Sequence, residues 1–166
     1  AKTRVRPVVQ RLLDQIEAPA IVSSVHGDYL AANVLGRALY SPVFESPEQP
    51  ANSARFTFLD PAARDFFPDW ERLATDLVAT LRSQAGRNPY DRGLSDLIGE
   101  LSTRSETFRN RWATHGVRLH RAGAKQFHHP VVGDLRLAYE VMELSADTGL
   151  TLTAYSPEPD SPSQDG

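Results

Sequence analysis

The stretch Phe127-His128-His129-Pro130-Val131-Val132-Gly133-Asp134-Leu135-Arg136-Leu137-Ala138-Tyr139-Glu140-Val141-Met142 decides the fold. Leu135, Leu137, Tyr139 and Val141 alternate with Arg136, Ala138, Glu140 and Met142. Period two is the pattern of a strand with one buried face. Gly133-Asp134 reads as a turn, and Phe127, His129 and Val131 share one parity before it. Further upstream, Val117 and Leu119 alternate with Arg118 and His120, and residues 122–125 read as another turn. Downstream, residues 146–149 turn the chain into a last strand holding Leu150, Leu152 and Ala154.

Before this hairpin the period is helical. Trp70, Leu73, Leu77, Val78 and Leu81 mark a helix from Asp69 to Ala85, with Gly86 at its C-terminus. Residues 91–102 form another, with Leu94, Leu97, Ile98 and Leu101 inward, and Ser105 caps a short one carrying Phe108 and Trp112. Asp60-Pro61 opens a short helix to about Phe67. Residues 41–55 hold Pro42, Pro47 and Pro50 and read as a loop. Two short strands, 20–25 and 29–32, flank the turn His26-Gly27-Asp28, and Asn33 is an N-cap for residues 34–40. The first helix begins at residue 5 or 6, because Pro7 is tolerated only in a first turn, and Pro19 closes it.

This order predicts an α+β domain. A PAS-like five-stranded antiparallel sheet has several helices inserted between strands 2 and 3 and lying over one face. One domain covers residues 1–156, residues 1–19 being its N-terminal helix. Residues 157–166 carry Pro, Ser, Asp and Glu without an apolar anchor and read as a disordered tail.

Composition narrows the classes. The chain has 166 residues, 40% hydrophobic, enough for one domain with a core. No apolar run of membrane-spanning length occurs. The absence of Cys excludes disulfides, thiolate metal sites and Cys nucleophiles, and suits a reducing, cytoplasmic setting. With 18 basic and 21 acidic residues, net charge −3, the domain is a poor candidate for gripping DNA by itself. The only Met is Met142, so the reading expects a segment before Ala1. Lys2 and Lys125 are the only lysines, beside sixteen arginines.

No nucleophile elbow, phosphate-cradling Gly loop or His-Glu-x-x-His motif is present, so an enzyme is not expected. His115, His120, His128 and His129 fall within a short span, but alternation separates His129 from His128 and His120, so no metal site is expected. His129 points at the core, either as a hydrogen-bonded structural residue or as a donor to a ligand. Arg64 is either a surface ion pair or a guanidinium capping an anion at a pocket mouth. Asn33 is either the helix cap or an amide turned into a pocket. Residues 104–125 hold five arginines and Lys125 against Glu106, while seven acidic residues face Arg136 after position 133. That asymmetry could be satisfied across a homodimer.

The chain resembles the ligand-binding domain of the MmyB-like transcription regulators over nearly its whole length. The resemblance rests on Val5-Arg6-Pro7 with Leu12-Leu13-Asp14, Ala31-Ala32-Asn33, Phe58-Leu59-Asp60-Pro61-Ala62-Ala63-Arg64 and Asp69-Trp70-Glu71. It continues through Leu81-Arg82, Leu97-Ile98-Gly99-Glu100-Leu101-Ser102, Ser105-Glu106-x-Phe108-Arg109 and Trp112-Ala113-x-His115-x-Val117. It closes with His129-Pro130-Val131-Val132-Gly133-Asp134-Leu135 and Tyr155-Ser156-Pro157-Glu158-Pro159. One departure is Ala32, where the family commonly has Trp, which would reshape a pocket.

The resemblance implies the sensor half of a bacterial XRE-type helix-turn-helix regulator, with the DNA-binding domain preceding it. It also implies a fatty-acid or lipid-like ligand in a PAS-type cavity, and no other cofactor. Arg64, Asn33 and His129 are the candidate head-group residues, with Arg82 and His115 behind them. Phe67, Trp70 and Trp112 are candidate walls. Two rival readings stay open: a ligand-free dimerisation module using the first helix and the sheet, and an enzyme with a site around His129, Arg64 and Asp60.

Overall fold

A computed structural model describes residues 4–114 and 122–157. The reading of Val117 to His120 as a strand and the tail after Pro157 lie outside these residues. Helix α1 (Pro7–Asp14) starts from an extended Arg6, with Pro7 in its first turn. The hairpin β1 (Ala20–Ser24) and β2 (Tyr29–Ala32) turns at Gly27, φ 82°. Seven short to medium helices follow: α2 (Val34–Leu39), α3 (Ser41–Phe44), α4 (Ser53–Leu59), α5 (Ala63–Phe66), α6 (Trp70–Arg87), α7 (Arg92–Arg104) and α8 (Glu106–Ala113). Strands β3 (Ala122–His129), β4 (Gly133–Glu143) and β5 (Leu150–Pro157) complete the described chain.

The sheet is antiparallel, in the order β2-β1-β5-β4-β3. This is the expected α+β architecture, with the helices inserted between β2 and β3. One difference concerns the layers. Helices α2 to α5 pack Leu39, Tyr40, Val43, Phe56 and Phe66 onto Ile21, Phe127, Leu137 and Tyr155. Helix α1 packs Val9 and Leu13 onto Ala20, Val22 and Ala31. Ala20 and Val22 flank Ile21 on a strand, so α1 covers the opposite face of the sheet.

Four local expectations are corrected. Residues 41–55 are not a continuous loop. Pro42 fits the first turn of α3, and Asn52 caps α4, accepting from Ala54 N at 2.9 Å and Arg55 N at 3.0 Å. The Asp60-Pro61 pair forms a turn, not the helix start; Asp60 Oδ1 accepts from Ala62 N at 2.9 Å, and α5 begins at Ala63. Gly86 lies inside α6, which runs on to Asn88 as its C-cap. Residues 122–125 are strand, not turn, because they pair with residues 137–140 of β4. The Ser105 cap of α8 is as expected, and Asp91, read as the first residue of a helix, is the N-cap of α7.

Candidate functional site

Helix α6 turns Val78 and Leu81 toward Leu94, Leu97 and Leu101 of α7 and Phe108 of α8. Its Leu73, Leu77 and Thr80 look toward the sheet, and a cleft lies between them and β3, β4 and β5. The cleft has two open chambers of about 250 Å³ and 480 Å³. Leu77, Thr80, Lys125, Val141, Thr153 and Tyr155 line both, so the chambers adjoin there. The smaller extends toward Asp69, Arg72 and Asp76, the larger toward His26 and Gly27 of the β1–β2 turn.

At the junction stands Lys125. Its Nζ donates to Tyr40 Oη at 3.0 Å, and the Tyr40 and Tyr155 hydroxyls are 2.6 Å apart. Nζ also lies 4.9 Å from the ring centroid of Phe67, 5.3 Å from Tyr40 and 5.6 Å from Phe127. The aromatic faces partly offset the loss of water around the ammonium. Burial nevertheless lowers its pKa from 10.5 to about 8. Burial raises the pKa of Tyr40 and Tyr155 above the ordinary phenol value. The result is one cation and a hydroxyl pair on an apolar floor.

Of the residues expected at a site, Phe67 lines the smaller chamber. The others are held elsewhere. Asn33 is buried and fully bonded: Nδ2 donates to the carbonyls of Leu13, Ile16 and Ala18, and Oδ1 accepts from Ala20 N and Gly36 N. It ties α1 to β1 and caps α2. The close approach there also fixes Gly36, where a Cβ would lie 2.4 Å from the Ala20 carbonyl oxygen. His129 is buried, with Nε2 2.7 Å from the Ala38 carbonyl oxygen and Nδ1 accepting from Val131 N at 3.1 Å. That pattern places the proton on Nε2 and leaves the ring no free nitrogen.

Arg64 is exposed, its guanidinium 3.7 Å from the ring centroid of Trp70. Trp70 itself is buried and donates from Nε1 to the Thr57 carbonyl at 2.9 Å. Arg82 donates to the carbonyls of Thr114 and Trp112, closing the end of α8, and Trp112 stacks on Phe108 with centroids 5.7 Å apart. None of these five residues, nor Trp112, lines either chamber. Ala32, at the departure from the family pattern, is buried in the main core and lines neither. His115 lies outside the described residues. Asp60 accepts from Ser46 Oγ at 2.6 Å, so Asp60, Arg64 and His129 have separate partners. Among the described residues, no group of three or more His, Asp or Glu could hold a metal ion.

Sequence reasoning missed Lys125. Its parity with Phe127 and His129 was the available signal, concealed by the expectation of a turn over 122–125. Among the described residues no helix is long and apolar enough to cross a membrane.

A family model described as the MmyB-like transcription regulator ligand binding domain matches residues 5–166. No curated protein matches the chain.

Proposed function

The chain belongs to the MmyB-like transcription regulator ligand binding domain family, and from that premise we propose that it senses a fatty-acid-like molecule in the cleft between α6 and the sheet. The observation that carries this reading is the cleft itself: an opening of about 480 Å³ bordered by Leu77, Leu81 and Val141, adjoining a half-buried ammonium. Pockets of this size bury small ligands through apolar walls and orient them with few polar groups.

The same sheet joins the cleft to α1. On β5, Thr153 lines the cleft while Leu152 and Ala154 pack toward α1. A ligand that favours one packing of α6 on this sheet would bias α1, and through it a preceding XRE-type helix-turn-helix domain. Homodimerisation through α1 and the sheet belongs to the same proposal. Val8 and Leu12 on α1 are exposed and suit an apolar contact. This role involves no catalysis and places the protein in the cytoplasm of a bacterium.

Native mass spectrometry of protein purified from cells tests the reading. The expected result is an added mass in the fatty-acid range that denaturation releases. Thr153→Phe, which fills the junction, should remove that mass while keeping the melting temperature within a few degrees. A homogeneous apo mass that does not change on titration with fatty acids would refute the ligand reading.

A further inference from the structure

Lys125 is a cation in the cleft with N–H donors to spare. An ammonium has three N–H donors. One goes to Tyr40, and among the described residues no carboxylate pairs with Lys125. The faces of Phe67, Tyr40 and Phe127 favour a cation but do not neutralise it. The residue lines both chambers, so a molecule in either can reach it.

We propose that Lys125 is the head-group anchor of the cleft, its two remaining N–H donors holding the carboxylate of a monoanionic amphiphile whose apolar body lies along Leu77, Val141 and β5. This rests on the ligand-binding reading above and adds the chemistry of the ligand's polar end. A single carboxylate balances the charge. An alcohol would leave the ammonium without a counter-charge. The Tyr40–Tyr155 hydroxyl pair fixes the ammonium in place, since Tyr40 accepts from it.

The anchor couples binding to protons. Burial brings the free ammonium to a pKa of about 8, and a bound carboxylate raises it again. Other charged or titratable groups face the cleft. They are Tyr40 after α2, Asp69 just before α6, Arg72, Asp76 and Arg87 of α6, Arg136, Tyr139 and Glu143 of β4, Tyr155 of β5, Tyr29 of β2, and His26. Lys125→Met leaves all of them in place, so the change in the acid-over-alcohol preference between wild type and that variant reports the ammonium.

Calorimetric titration with decanoate and with decan-1-ol, from about pH 6.5 to 9.5, tests this. Decanoate affinity should be level below about pH 8 and fall about tenfold per pH unit above it, while decan-1-ol stays flat. Lys125→Met should weaken decanoate about tenfold or more and leave decan-1-ol within about twofold. Lys125→Arg should keep the preference for the acid and move the fall beyond the range tested. Matching pH profiles for acid and alcohol, or equal losses of both in Lys125→Met, would overturn the anchor while leaving the cleft a ligand site. Failure of both probes to bind the wild-type chain would overturn the cleft as well.

Discussion

Asn33 and Lys125 are both polar side chains set among apolar neighbours, and they differ in what remains unbonded. Every donor and acceptor of Asn33 is taken by backbone, which makes it a fastener. Lys125 holds a charge with one neutral partner. Its folded pKa, about 8, lies below the value of 10.5 for an exposed lysine. Between these values the unfolded chain binds more protons than the folded one, so this residue makes stability rise with pH across that window. Below pH 8 the half-buried charge costs at most on the order of 3 kcal/mol relative to the same group in water. Urea unfolding at pH 7 and pH 10 should therefore show Lys125→Met more stable than wild type at pH 7, with the gap closing by pH 10. A constant gap would show that the ammonium is well solvated.

At the scale of elements, α6 and α7 each carry a glycine with open space around it. A Cβ at Gly86 or Gly99 would meet nothing within 4 Å, and neither glycine has a positive φ. Gly86→Ala and Gly99→Ala should each stabilise the chain by about 0.5–1 kcal/mol, read as a rise in thermal midpoint. The Asn33 and Ser105 caps were legible because a short polar side chain just before a helical apolar period has one common use. The helical ends of residues 41–55 were hidden by prolines that fit a first turn and a connection. Residues 122–125, Ala-Gly-Ala-Lys, have little intrinsic strand preference; their pairing with β4 overrides it. The site was less legible than the fold for that reason. Arg64, Arg82 and His129 are suitable head-group residues by type, but Trp70, the end of α8 and the Ala38 carbonyl occupy them. Which partner each meets is settled by packing, and spacing along the chain does not encode it.

Across the whole molecule, β5 lies between β1 and β4 and is the last of the described strands in the chain. It is the element that joins the N-terminal hairpin to the β3–β4 hairpin. A two-stranded hairpin alone is marginal in water, so a chain ending after Glu143 should lose cooperative unfolding by circular dichroism. Cooperative unfolding of that truncated chain would show that the helices alone hold the two halves together. The position of β5 also sets a timetable. While the polypeptide leaves the ribosome, both hairpins must wait for residues 150–157 before the sheet can close, a pairing of long sequence separation and correspondingly slow. On the proposed arrangement, a helix-turn-helix domain translated earlier would fold before its sensor exists. A nascent regulator would then spend its first moments unresponsive to ligand.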